Sequence, residues 1–152
     1  MRPLPAIKEA QNLVSIHDED QEFQLEPQTA KAWLEIKAAA RAAQVDLRIV
    51  SAFRSIRRQA AIIAAKQERG ITDPEIYRVN APAGYSEHHS GRAIDIGTEG
   101  SPPLDASFES TPAFQWLQTH AAQYGFRLSY PRDNQYGIIY EPWHWCYYSD
   151  TV

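Results

Sequence analysis

The chain of 152 residues is 43% hydrophobic and 22% charged, with a formal net charge of −4. That length suffices for one domain with a core of its own, and the composition is that of an ordinary globular protein. The negative balance excludes the basic field expected of a nucleic-acid partner. A single cysteine, Cys146, excludes an internal disulfide framework, and no stretch approaches the roughly 20 apolar residues of a membrane span.

Residues 1–26 read as irregular. The opening "MRPLPAIKEAQNLVSIHDEDQ" lacks the run of about 7–15 apolar residues that marks a signal peptide. Its acidic cluster, "HDEDQE", reads as a solvated face, because the shaping glycine and further ligands of a calcium loop do not follow. Residues 27–43, "PQTAKAWLEIKAAARAA", predict a helix with Trp33, Leu34 and Ala38 along its apolar side. "VDLRIVSAF" predicts a strand by alternation of Val45, Leu47 and Ile49 with polar neighbours.

Ser55 is the expected N-cap of a second helix, with a stripe of Ile56, Ala60, Ile63 and Ala64 and a stop at Gly70. The connection "ITDPEIYRVNAPAGY" reads as a long proline-rich loop without regular structure, and loops of that length inside a domain tend to be functional. A third helix is capped by Thr111, takes Pro112 in its first turn, repeats Phe114, Leu117, Ala121 and Tyr124 at helical spacing, and ends at Gly125. "FRLSY" predicts a strand, "PRDNQYG" a turn, and "IIYEPWHWCYY" a final strand or pair of strands. Helices early and strands late, without strict βαβ alternation, define a single α+β domain with a largely antiparallel sheet and helices packed on it.

The stretch "SEHHSGRAIDIG", Ser86 to Gly97, carries the chemistry. Read as a strand, it puts Gly91, Ala93, Asp95 and Gly97 on one face and Arg92, Ile94 and Ile96 on the other. The isoleucine face is suited to a core, while the opposite face holds almost no volume apart from one carboxylate. A divalent metal explains that cleared face: a catalytic zinc site takes three protein ligands and leaves the fourth position to water. His88 and Asp95 offer two ligands, and His144 in "EPWHW" offers a third.

Glu141, three residues before His144, would face the other way along an ideal strand, but Pro142 cannot continue a central ladder and a bend there can turn the carboxylate round. A carboxylate beside a metal can take a proton from attacking water and return it to a departing amine. Arg54, where strand gives way to helix in "SAFRSIRRQ", is placed to clamp a carboxylate or stabilise an oxyanion. Arg57 and Arg58 read as solvated helix charges.

Three segments together resemble the signature blocks of VanY-type D-alanyl-D-alanine carboxypeptidases. They are "SAFRS" with Gln59, "SEHHSGRAIDIG" with its S-x-H-x-x-G-x-A-x-D pattern, and "YEPWHWCY" with E-x-W-H. "WLQTHAAQYGFRLSYP" is similar to the family's helix-then-strand segment, so the resemblance covers about residues 28 to 148 of a single zinc peptidase domain spanning 1–152, its core at 27–148. It implies a hedgehog / D-Ala-D-Ala peptidase-like fold, a Zn2+ cofactor held by His88, Asp95 and His144, and Glu141 as general base. It further implies Arg54 as a substrate-orienting or oxyanion-stabilising group, with Ser86 and Gln59 in substrate binding.

The implied substrates are peptidoglycan stem peptides or muropeptides, which would put the enzyme in the cell envelope or, acting on recycled or precursor peptides, in the cytoplasm. The implied reaction is release of the terminal D-alanine by a D,D- or L,D-carboxypeptidase. A non-catalytic zinc-binding interaction domain of hedgehog type, or a phage-lysin-like endopeptidase, is the alternative. His88 matches the ligand position of the family; His89 does not, and reads as a supporting or exposed residue. Cys146 stands where family members commonly carry an arginine, and reads as a small packed thiol on the His144 face. Neither the oligomeric state nor the stereochemistry at the scissile bond follows from the sequence.

Overall fold

The computed structural model describes residues 1–148; the last four positions of the expected 1–152 domain lie outside the described residues. In chain order it contains β1 (Val14–Asp18), β2 (Gln21–Leu25), α1 (Pro27–Ala42), β3 (Arg48–Ser51), α2 (Ile56–Glu68), α3 (Asp73–Val79), β4 (Ala93–Gly97), α4 (Pro112–His120), β5 (Phe126–Leu128) and β6 (His144–Tyr147). Strands β3, β4, β6 and β5 form one sheet in that order, antiparallel at every step. This is the α+β arrangement expected, with α1 and α4 supplying the core on one face. No described helix is long and apolar enough to cross a membrane.

Strand β4 is buried along its whole length, and its alternation divides the molecule. Ile94 and Ile96 join Ile49, Trp145, Trp33, Ile36, Phe114 and Leu117 in one hydrophobic core. Asp95 faces the other way, opposite Ser51 on β3 and His144 on β6. Burying side chains of that size contributes roughly 1.5–3 kcal/mol each, so the core fixes which way the strand faces.

The predicted helices form, with different buried stripes. In α1 the side chains of Trp33, Ile36 and Ala40 are buried, whereas Leu34 and Ala38 are exposed; a residue one position from Trp33 lies about 100° round the helix. In α2 Ile63 of the expected stripe is buried and Ile56 half-buried, whereas Ala60 and Ala64 are exposed and Gln59 is buried instead; Ser55 caps through its hydroxyl as expected. Thr111 caps α4 and Pro112 occupies its first turn; the helix then tightens to a 3₁₀ turn, Ala121–Tyr124, before Gly125.

Two expectations are corrected. The loop expected after Gly70 contains helix α3, because Pro74 stands in the helix's first turn, where its missing N–H costs nothing. Residues 1–26 are not irregular throughout: β1 and β2 form a hairpin with Ile16 opposite Phe23. Its tight turn places Glu19 and Asp20 at positive φ, the backbone of a primed turn but without the glycine that signals one.

Nor is the acidic cluster wholly a solvated face. Asp18 is buried, accepts from the Ile49 backbone N–H at 2.9 Å and pairs with Lys37, tying the hairpin to β3 and α1. Removing its carboxylate would leave a buried N–H unpaired. Asp18→Ala is therefore expected to cost about 2 kcal/mol of stability, read as a lowered unfolding midpoint, while Glu22→Ala on the exposed hairpin face should leave that midpoint nearly unchanged.

Candidate metal centre and substrate cavity

The block from Ser86 to Gly97 is not one strand. Ser86 caps a 3₁₀ turn, Glu87–Ser90, by accepting from the His88 N–H, and Gly91 closes it at φ 72. Only from Ala93 does the chain enter β4. Gly91 is required by conformation and space together: a Cβ there would lie 2.9 Å from both the Glu26 nitrogen and Leu13 Cδ2. The turn brings His88 back over Asp95.

The ligand-capable atoms of His88, Asp95 and His144 all lie within 4.8 Å of one another, and all three residues are buried. His88 Nε2 is 3.2 Å from Asp95 Oδ2, and His144 Nδ1 is 3.0 Å from Asp95 Oδ1. Each imidazole has its other nitrogen engaged. His88 Nδ1 donates to the Ala52 carbonyl at 2.7 Å, and His144 Nε2 meets Glu87 Oε1 at 2.8 Å. Such outer partners fix ring orientation and leave the inner nitrogens for a ligand. Two imidazole nitrogens and a carboxylate oxygen, each oriented in this way, fit a zinc ion with a position left open.

Glu141 is brought in by the bend expected at Pro142. The His144 N–H donates to the Glu141 carbonyl at 3.2 Å, and Glu141 Oε1 lies 3.8 Å from His144 Nδ1. Arg54 faces the same space, its guanidinium donating to Gln59 Oε1 at 2.9 Å and Ser51 Oγ at 3.2 Å. Gln59 is buried and spends its amide N–H on the Ala81 carbonyl at 2.7 Å. All seven residues singled out from sequence (Arg54, Gln59, Ser86, His88, Asp95, Glu141 and His144) line one cavity of about 320 Å³.

Charge in this cavity is concentrated and sorted. Burial opposes the charge on Asp95, but the neighbouring His88 and the hydrogen bonds from both imidazoles outweigh it and hold the carboxyl below its usual range. Burial likewise opposes the charge on Glu87, yet its hydrogen bond to His144 brings it down to about 2. His144 is raised to about 10, burial being overcome by its hydrogen bonds to Asp95 and Glu87. Glu141 moves the other way. Burial lifts it to about 7, with Asp95 and Glu87 adding to the rise and His144 and Arg54 opposing it.

Among the lining residues that escaped the sequence reading, three are titratable. Glu87 binds His144 and also accepts from the Tyr148 hydroxyl at 3.1 Å; an acidic residue beside a histidine carries no pattern of its own. The Tyr130 ring lies 4.9 Å from the His144 ring, and Lys66 lines the wall formed by α2. His89 is fully buried as a supporting residue: Nδ1 donates to the Arg54 carbonyl at 2.8 Å and Nε2 accepts from the Gly84 N–H at 3.1 Å. Cys146 is buried, does not line the cavity, and has its thiol pKa raised by burial and by Glu87.

Residues 22–150 match the family model described as VanY, D-alanyl-D-alanine carboxypeptidase. The bifunctional D-Ala-D-Ala dipeptidase and D-Ala-D-Ala carboxypeptidase VanXYC of Enterococcus gallinarum is 33% identical over 151 residues, covering 95% of this chain and 78% of that protein. A D-alanyl-D-alanine carboxypeptidase of Enterococcus faecium is 45% identical over 65 residues, 41% of this chain and 20% of that protein.

Among solved structures, the LdcB LD-carboxypeptidase superposes with a TM-score of 0.81 at 30% identity, covering 95% of this chain and 72% of the other. A zinc-bound variant of the D,D-pentapeptidase VanY from a VanB-type resistance cassette gives 0.73 at 25% identity, covering 95% and 82%. The fold and these relatives define a zinc metallopeptidase. The chain belongs to the VanY family of D-alanyl-D-alanine carboxypeptidases.

Gly91→Ala is expected to lose about 2–4 kcal/mol, from the left-handed backbone and the close approach of Glu26 and Leu13 combined. Chemical denaturation would read this loss, and Gly100→Ala supplies the comparison, since it shares a positive φ but meets nothing within 4 Å. The Gly91 variant should be the less stable of the two.

Proposed function

We propose that this chain is a zinc-dependent carboxypeptidase that removes the terminal D-alanine from peptidoglycan stem peptides, with Glu141 as general base. The observation that carries this reading is the convergence of His88, Asp95 and His144, with the Glu141 carboxylate 3.8 Å from His144, in one cavity that also holds Arg54. Zinc held by those three side chains would polarise a carbonyl and lower the pKa of water.

The remaining work falls to the chain. Glu141, largely buried beside His144, takes the proton of the attacking water and returns it to the departing amine. Arg54 is held by Gln59 and Ser51 and faces negative charge developing on the scissile carbonyl oxygen, needing no reorganisation as that charge appears. His89 braces the Arg54 backbone, and Glu87 orients His144. Ser86 lines the same cavity as Gln59 and is assigned to substrate contact.

The relatives support this reading: VanXYC is a D-Ala-D-Ala dipeptidase and carboxypeptidase, and LdcB is an LD-carboxypeptidase that recognises peptidoglycan. Zinc-loaded protein incubated with muropeptides ending in D-Ala-D-Ala, or in a single D-Ala after an L-centre, should release D-alanine detectable by mass. Zinc-loaded protein that releases none from either set would refute the assignment. Glu141→Ala is expected to keep stoichiometric zinc and to lose about 10²–10⁴-fold in turnover. Glu87→Gln should bind zinc about 10–100-fold more weakly in a chelator competition.

A further inference from the structure

We infer that Lys66, seated with Asn80 where α2 lines the cavity, receives the terminal carboxylate of the substrate peptide, leaving Arg54 to face the scissile carbonyl. This rests on the peptidase reading above and assigns its substrate-end recognition. Helix α2 presents Gln59, Ile63 and Lys66 on one face, at i, i+4 and i+7, and both polar members line the cavity. Gln59 and Lys66 are about 10 Å apart along the axis, and a lysine stem leans back toward the helix N-terminus, toward Arg54.

The ammonium is available for a ligand. Lys66 Nζ donates to Asn80 Oδ1 at 3.1 Å, a neutral partner that takes one of its three donors. Among the described residues no carboxylate pairs with it. Asn80 is itself fixed, its amide donating to the Ile76 carbonyl at 2.8 Å. The adjoining Ala81 carbonyl is held by Gln59, so α2 and the segment after α3 are stitched together at two successive residues.

The contacts give the direction. Asp95 stands opposite Ser51, whose hydroxyl accepts from Arg54; the Arg54 guanidinium also donates to Gln59, and Lys66 lies about two turns further along α2. Arg54 thus links the carboxylate cluster to the face of α2 that carries Lys66. A peptide residue advances about 3.5 Å, so with the scissile carbonyl at the cluster, a terminal carboxylate one residue on lies further toward Lys66. Val79 and Leu104 line the same cavity and are 43% and 49% exposed, offering apolar surface of the kind a methyl side chain covers.

The test uses zinc-loaded Glu141→Ala protein, so that peptides stay intact, and calorimetry. The probes are Nα,Nε-diacetyl-L-lysyl-D-alanine and Nα,Nε-diacetyl-L-lysyl-D-alanyl-D-alanine, each as free acid and as C-terminal carboxamide. With Lys66 present, the acid of the better-binding pair should be preferred about tenfold over its amide. Adding Lys66→Met should reduce that preference below about twofold, and Lys66→Arg should keep most of it. A preference that survives Lys66→Met undiminished, or no binding of any acid by the Lys66-containing protein, overturns the inference. Turnover of the same acids by the unaltered enzyme reads the peptidase assignment separately, so D-alanine release without a Lys66-dependent preference sinks this inference alone.

Discussion

The pairing of Asp95 with His144 across two buried antiparallel strands is the constraint on which the remaining geometry hangs. A slip of one residue in that register would turn one of the two side chains to the opposite face and part the pair. The register is held from behind, where Ile94 opposite Trp145 and Ile96 opposite Ile49 are packed into the core. Core packing and site geometry are thus two faces of one strand. His88 reaches the pair only because the chain makes a 3₁₀ turn and reverses at Gly91.

That arrangement confines three carboxylates and two imidazoles in one cluster in which His88, Asp95 and His144 are buried. Burial alone would neutralise such groups, and at Glu141 it prevails far enough to lift the carboxyl to about 7. At Asp95 and Glu87 the hydrogen bonds from the imidazoles prevail instead. The same cavity therefore holds carboxylates that stay ionised and one poised to exchange a proton, because only the first two bond directly to a histidine. Arg54 is held in place by Gln59 and Ser51 before any substrate arrives.

The N-terminal quarter of the chain is a brace for this centre. Asp18 ties the hairpin to β3 through the Ile49 N–H. The Ala10 N–H donates to the His89 carbonyl, the Glu26 N–H donates to the Gly91 carbonyl, and Glu9 accepts from the Ile56 N–H at the start of α2. The turn carrying His88 and the helix carrying Gln59 and Lys66 are thereby clamped from one side by residues that contribute nothing to the cavity itself.

The sequence alone determined the residue chemistry and most of the local structure. His88, Asp95, His144, Glu141 and Arg54 were legible because short motifs with fixed spacing carry them, and Ser55, Thr111 and Gly125 marked helix ends by local hydrogen bonding and backbone preference. Even the bend that turns Glu141 inward was readable, since Pro142 acts on its own neighbours. What the tertiary structure decided was non-local. The hairpin at Val14–Leu25 has a turn of Glu19 and Asp20 that gives no local signal, and its buried Asp18 is explained only by a backbone N–H 31 positions away. Glu87 and Lys66 acquire their places from where His144 and Asn80 fall in space. Those partners lie 57 and 14 positions away, and the contacts arise only when the segments that carry them pack together.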